Sequence, residues 1–421
     1  MKTKAVRLHG ANDLRMDEFV LPPIKEDEIL AKVISDSLCM SSFKASNQGV
    51  NHKRIPDDID KNPIIIGHEF CGEIMEVGNK WKSNFYSGQK FAIQPALNDP
   101  SGPVGILSAP GYSYPFIGGD SQFIIIPAEV MENGCLLPFE GEAFYLGSLA
   151  EPISCVAGAC HANYHTKQGS YSHDMGIVEG GALALLAGVG PMGLAAIDYI
   201  FHCNRRPKFM IVTDIDQERL NRAESIYSKE RAAEQGIEIN YINSKKVDSS
   251  FLKSISPEKK GYDDVFVFAP VASLIEQADE ILNFDGCLNF FAGPSNPKFS
   301  ASMNFYDIHY GATHLVATSG GNTDDLKEAL DLMANGGVDP SALITHVGGL
   351  NAVSKTTLNL PSVPGGKKLI YTHIDFPLTA LDEFKNGDGE LFNKLSKIID
   401  QNNGLWSPKA EQYLLKNAPS I

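Results

Sequence analysis

Apolar and polar positions divide the chain into two regimes. Over the first third, short alternating or apolar runs recur at residues 5–8, 29–34, 73–77, 90–94 and 122–126, punctuated by Pro22-Pro23, Gly88 and Gly118-Gly119. Period-two alternation puts apolar side chains on one face of a sheet, and Gly and Pro mark the turns between strands, so this region predicts a small barrel-like β domain. Residues 96–117, rich in Gly, Pro and Ser, read as a long surface loop. After about Cys155 the style changes. Apolar runs at 183–187, 209–213, 265–268, 287–291 and 314–318 alternate with helical spacing at 192–201 and 272–282. Strands alternating with helices predict βαβ units on a parallel sheet. A further helix is expected over 323–335, from the spacing of Leu326, Ala329, Leu330 and Met333, and the polar end, 404–421, is expected to wrap the surface.

The longest apolar stretch, 182–201, is interrupted by Gly188, Gly190, Pro191, Gly193 and Asp198, which fits a buried strand, a turn and a helix better than a membrane span. A length of 421 residues predicts two or three domains. The balance of 36 basic against 51 acidic residues, a net charge of −15, argues against nucleic acid or an anionic membrane as partner. The basic start, Met-Lys-Thr-Lys-Ala-Val-Arg-Leu, has no apolar signal core behind it. The seven cysteines, Cys39, Cys71, Cys135, Cys155, Cys160, Cys203 and Cys287, are odd in number and scattered, as expected of reduced thiols in a cytoplasm.

Two clusters carry chemistry. Gly188-Val189-Gly190-Pro191-Met192-Gly193 follows an apolar strand and opens a helix. The first glycine permits a tight turn, the second lets the backbone approach a pyrophosphate, and the third lets helix pack on strand. The pyrophosphate would sit on the helix N-terminus, where free N–H groups favour an anion. Asp214 ends the next strand, 21 positions after Gly193, the spacing of a carboxylate that grips the adenosine ribose. Its charge favours NAD over NADP, and Arg219, five positions on, keeps NADP open. The second cluster is Gly67-His68-Glu69-Phe70-Cys71-Gly72-Glu73, with Cys39 upstream and Glu151-Pro152 downstream. Thiolate, imidazole and carboxylate are the ligand types of a catalytic zinc. His68 and Glu69 are adjacent, so on a regular strand they would point to opposite faces, and both reach one metal only where the chain bends.

Taken together, the Gly-His-Glu-Phe-Cys-Gly-Glu-Ile segment, the glycine turn and Leu343-Ile344-Thr345-His346, in that order, resemble the zinc-containing medium-chain alcohol and polyol dehydrogenases, the family of sorbitol dehydrogenase. The resemblance implies an α/β plus β-rich fold: a GroES-like β-barrel catalytic domain, 1–159 and 322–421, with an inserted Rossmann doubly wound parallel sheet, 160–321. It implies Cys39 and His68 as zinc ligands, with Glu69 ligating directly or standing just behind, and Glu151 ligating directly or through water. Ser41 would take the proton of the substrate alcohol. A hydride would pass between a secondary alcohol of a polyol or ketose and the nicotinamide. A homo-oligomer, dimer or tetramer, is expected.

Departures from the family pattern are informative. Ser42 replaces the aspartate expected behind the metal ligands, and Lys44 stands where many members carry a relay histidine. The four-cysteine structural zinc lobe should fall within 96–117, which has no cysteine, so one catalytic zinc and no structural zinc is expected. Extra length near 166–181 and 351–368 resembles the long branch that includes L-sorbose-1-phosphate reductase. Lys44, His52, Lys53 and Arg54 form a basic exception in an acidic chain and suit a substrate phosphate, against the alternative of a solvated loop. Two rival functions stand beside this one. A zinc-free quinone reductase would lack the Cys39, His68 and Glu151 set, and a non-catalytic dinucleotide-binding protein would be favoured by the loss of the aspartate at Ser42.

Overall fold

The computed structural model describes residues 1–167 and 169–421. The chain forms two compact units, Met1–Glu151 with Leu326–Ile421, and Pro152–Asp325.

In the first unit, Ile29–Leu38 is the central strand. It pairs antiparallel with Phe70–Val77, Phe123–Ile126 and Lys367–Tyr371, and the sheet continues through Lys90–Ile93 to Leu136–Pro138 on one side and Ile344–Gly349 to Thr379–Ala380 on the other. Ile29, Ala31 and Val33 alternate into a core with Phe70, Ile74, Phe91, Ile93, Ile124 and Ile126. The strand runs four residues past the expected end at Ile34, because Ser35, Asp36 and Ser37 are buried polar side chains that hide it from an apolar pattern. A second, smaller sheet orders Asp13–Val20, Lys2–Gly10 and Ile64–Ile65.

Two expectations for this unit are refined. The stretch 96–117 is not a surface loop throughout: residues 108–114 are buried and deliver Tyr112 to the interior. The C-terminal stretch keeps a polar face at the surface and buries the other. It forms helix Pro408–Asn417, with Trp406, Ala410 and Leu414 fully buried. Glu411, polar in composition, is buried too. Its carboxylate accepts the backbone N–H groups of Phe144 and Tyr145, at 2.7 and 2.9 Å, and the Tyr371 hydroxyl at 2.9 Å. It thereby satisfies orphan donors at the start of helix Phe144–Ser148.

The second unit is a six-stranded parallel sheet in the order Glu238–Asn243, Phe209–Asp214, Ala182–Leu186, Tyr262–Val267, Leu282–Phe290, His314–Val316. In chain order this is 3-2-1-4-5-6, the doubly wound dinucleotide-binding arrangement. The strand Glu238–Asn243 was not apparent from the sequence, because it is an edge strand with one fully buried side chain, Ile239. Part of the extra length near 166–181 is a hairpin, Tyr164–Thr166 with His173–Met175; Gln168 lies outside the described residues.

Candidate active site

Cys39 follows directly on the central strand and sits at the N-cap position of helix Met40–Gln48, in extended backbone. Opposite it, the chain turns at Gly67, whose φ of 92° lies in the left-handed region, and enters strand Phe70–Val77 only after Glu69. A Cβ on Gly67 would stand 2.7 Å from Asp36 Oδ2 and from the Asp120 backbone nitrogen, so this turn requires glycine. The Glu69 N–H donates to Asp36 Oδ1 at 3.2 Å, which pins the bend. The bend lets adjacent residues face one point: ligand atoms of Cys39, His68 and Glu69 lie within 4.8 Å of one another. Among the described residues this is the one group of three or more such side chains close enough to hold a metal ion.

The two nitrogens of His68 have distinct partners. Nδ1 lies 3.3 Å from Ser42 Oγ. Nε2 lies 3.3 Å from Ser41 Oγ and 3.3 Å from the Tyr112 hydroxyl. Ser41 also donates to Cys39 Sγ at 3.0 Å. Ser42 thus meets the imidazole at the nitrogen remote from the donors, the place of a partner that orients a metal-binding histidine. Burial pushes the Cys39 thiol up, and the nearby Glu69 charge adds to this. Burial also pulls His68 down, towards the neutral imidazole that a metal needs.

Glu69 is almost fully buried, and both its oxygens take the ammonium of Lys367, at 2.5 and 2.6 Å. Burial alone would raise the Glu69 carboxyl, but Lys367 and then His68 overcome it and hold the carboxyl below its usual range. Burial likewise opposes the charge on Lys367, and Glu69 more than reverses that. Lys367 was not singled out from the sequence, where it is one lysine in Gly-Gly-Lys-Lys with no local signal. Glu151 lies outside the three-residue cluster and opens helix Ala150–Ala162. Desolvation first, opposed by His68 and reinforced by Glu69, pushes its carboxyl up to about 7.

Tyr112 was also missed. Its ring lies 4.8 Å from the His68 ring and 6.1 Å, nearly parallel, from the His52 ring, with the Arg54 guanidinium 5.7 Å from its centroid. Gly111 brings it there: a Cβ at that position would sit 2.0 Å from the Gly67 carbonyl oxygen. Arg54 also donates to the Leu107 carbonyl at 3.1 Å, and Lys53 is exposed. His52 is pushed down to about 4 by burial, then by the charges of Arg54, Lys53 and Lys44. The four basic residues therefore share one electrostatic neighbourhood, and His52 is its neutral member at pH 7.

In the second unit, Gly188-Val189-Gly190 connects strand Ala182–Leu186 to helix Pro191–His202. The left-handed residue of this turn is Ala187, at φ 54°, not Gly188. The glycines are needed for space: a Cβ on Gly193 would lie 2.2 Å from the Gly188 carbonyl oxygen. Asp214, 7% exposed, ends strand Phe209–Asp214, and its Oδ1 accepts the Asp216 N–H at 3.0 Å. Arg219 turns towards the glycine turn and donates to the Val189 carbonyl at 3.0 Å.

A half-buried thiol, an imidazole and carboxylates, with an orienting hydroxyl behind the imidazole, suit zinc in a site with an open position. Residues 25–133 match the alcohol dehydrogenase GroES-like domain. The chain is 48% identical over 419 residues to L-sorbose 1-phosphate reductase of Klebsiella pneumoniae, covering 100% of this chain and 98% of that protein. It is 48% identical over 419 residues to mannitol-1-phosphate 5-dehydrogenase of Aliivibrio fischeri, covering 99% and 98%. Among solved structures, galactitol-1-phosphate dehydrogenase of Escherichia coli shares the fold with a TM-score of 0.67 at 21% identity, over 87% of this chain and 99% of that one. With near-complete coverage at this identity, the chain belongs to the zinc-type medium-chain alcohol and polyol dehydrogenases, NAD(P)-dependent oxidoreductases that join a GroES-like domain to a Rossmann domain.

Proposed function

We propose that this enzyme interconverts a secondary hydroxyl of a hexitol phosphate and the corresponding ketose phosphate. The observation that carries the reading is the convergence of Cys39, His68 and Glu69 within 4.8 Å, with Ser41 in contact with two of them. Two relatives named for sugar phosphates at 48% identity support the substrate class.

Cys39 and His68 would hold zinc, together with Glu151 or with Glu69, whose oxygens each also accept from Lys367. When bound, zinc supplies Lewis acidity to the substrate oxygen and the nicotinamide supplies the hydride acceptor or donor. Ser41 Oγ would accept the proton of the reacting hydroxyl while passing its own on towards solvent. Ser42 holds the imidazole orientation through Nδ1, and Lys367 fixes Glu69. Lys44, Lys53 and Arg54 would attract the phosphate, with His52 as a neutral hydrogen-bond partner. Gly188, Val189, Gly190, Pro191, Met192 and Gly193 would cradle the pyrophosphate. Asp214 would take the ribose hydroxyls, and Arg219, occupied at Val189, is a weak candidate for a 2′-phosphate, which supports NAD. We further propose one zinc per chain and a homo-oligomer. The free cysteines among the described residues suit a reducing cytoplasm, and no described helix is long and apolar enough to cross a membrane.

The test is a panel of free and phosphorylated hexitols and ketoses assayed with NAD and NADP. A phosphate contact requires a much lower KM for the phosphorylated member of each pair, and Lys44→Ala or Arg54→Ala should erase that advantage. Equal kcat/KM for sorbitol and sorbitol 6-phosphate would reject the substrate class.

A further inference from the structure

We propose that Tyr112 is a specificity-determining residue that reads the hydroxyl next to the reacting one, so that the site selects vicinal diols over simple secondary alcohols. The inference rests on the reading of His68 as a zinc ligand.

His68 has one nitrogen free for a metal. Nδ1 is engaged by Ser42, and Nε2 is the nitrogen on the side of Ser41, which itself contacts Cys39. Two hydroxyls, Ser41 and Tyr112, lie 3.3 Å from that same Nε2. A metal there displaces both from their imidazole partner. Ser41 keeps a partner in the Cys39 sulfur at 3.0 Å and stands beside the metal donors, where the reacting hydroxyl arrives. Tyr112 is 5% exposed, and its phenol, left with the Ser41 hydroxyl as its neighbour, loses the imidazole partner in a desolvated place. A buried hydroxyl that loses a partner is costly, so the bound substrate gains by supplying one.

Position decides which substrate atom does so. The Tyr112 ring contacts His68 at 4.8 Å and also neighbours His52 at 6.1 Å and Arg54 at 5.7 Å. It therefore spans from the metal donors towards the basic cluster, the direction a polyol chain would follow if its phosphate lay on those cations. The hydroxyl on the adjacent carbon is the first substrate group along that line. A phenol is protonated at neutral pH, so it can donate.

Tyr112→Phe deletes the hydroxyl and keeps the ring beside His68 and His52. Zinc content by elemental analysis, kcat/KM, and the calorimetric affinity of the zinc enzyme are compared for a hexitol phosphate and for its analogue deoxygenated next to the reacting carbon. Wild type should prefer the full hexitol phosphate by about tenfold or more, the value of one buried hydrogen bond. Tyr112→Phe should lose that preference in both kcat/KM and affinity, with zinc content and activity on the deoxy analogue unchanged. An equal loss on both ligands would place the hydroxyl on the reacting oxygen or on the metal and overturn the proposal. So would a retained preference, or a wild-type enzyme that does not discriminate. Wild-type protein that takes up no zinc would instead reject the underlying metal reading.

Discussion

Removing the ammonium of Lys367 isolates the buried charge behind the candidate metal site. Lys367 and Glu69 are both almost fully buried, and the ammonium meets both carboxylate oxygens, at 2.5 and 2.6 Å. Lys367→Met keeps the length of the side chain and leaves the carboxylate buried without its cation. Breaking a buried pair from one side costs about 3–5 kcal/mol, because the remaining charge is uncompensated. That is a large part of the stability of an ordinary domain, about 5–15 kcal/mol. The pH dependence has a definite sign. Lys367 is raised above its ordinary value of 10.5, so its contribution is complete below that value and lost as pH rises through the higher folded one. Glu69 is held below 4.5, so its contribution is complete above 4.5 and lost as pH falls through the lower folded value. In Lys367→Met, burial without the cation raises the Glu69 carboxyl, so protonation relieves the orphan charge: the gap between wild type and variant should be widest at alkaline pH below the Lys367 transition and narrow as pH falls through the variant's raised carboxyl value, and it should also shrink as pH rises through the Lys367 transition. The assay is urea unfolding followed by tryptophan fluorescence across pH, since Trp406 is buried in the same unit. Adding Glu69→Gln to Lys367→Met removes the orphan charge and should recover most of the loss. A gap below about 1 kcal/mol, or a double variant as unstable as the single one, would refute the reasoning.

Cys39→Ala should abolish zinc uptake and turnover while NAD affinity, read by fluorescence titration, stays near wild type, since Cys39 and the glycine turn belong to different units. Asp214→Ala should weaken NAD and relieve repulsion of NADP, and an unchanged ratio of the two KM values would show that this carboxylate does not read the ribose. Glu411→Ala strips three donors of their acceptor and should cost about 1–3 kcal/mol in thermal unfolding, with Glu411→Gln closer to wild type.

What could be read from the sequence depended on how local its cause was. The parallel strands and the glycine turn were legible because period and spacing act over a few residues. Cys39, His68 and Glu69 stood out as candidates only as a set in the order of a family pattern, since a lone buried cysteine or a His-Glu pair is more often core or surface. Lys367 did not, because its meaning comes from Glu69, 298 positions away in the chain. Tyr112 was hidden inside a Gly-rich stretch that reads as solvent-exposed, and its burial follows from one close approach, Gly111 to the Gly67 carbonyl. The same distinction bears on Ser42. The missing aspartate raised doubt about the metal surroundings, yet Ser42 Oγ reaches His68 Nδ1 at 3.3 Å and supplies an orienting partner without a charge. A carboxylate at Ser42 would add a negative charge to a neighbourhood that already holds Glu69 and Glu151, with the buried Lys367 ammonium engaged by Glu69. A neutral hydroxyl behind His68 is thus consistent with a site whose negative charge is carried on the other side of the imidazole.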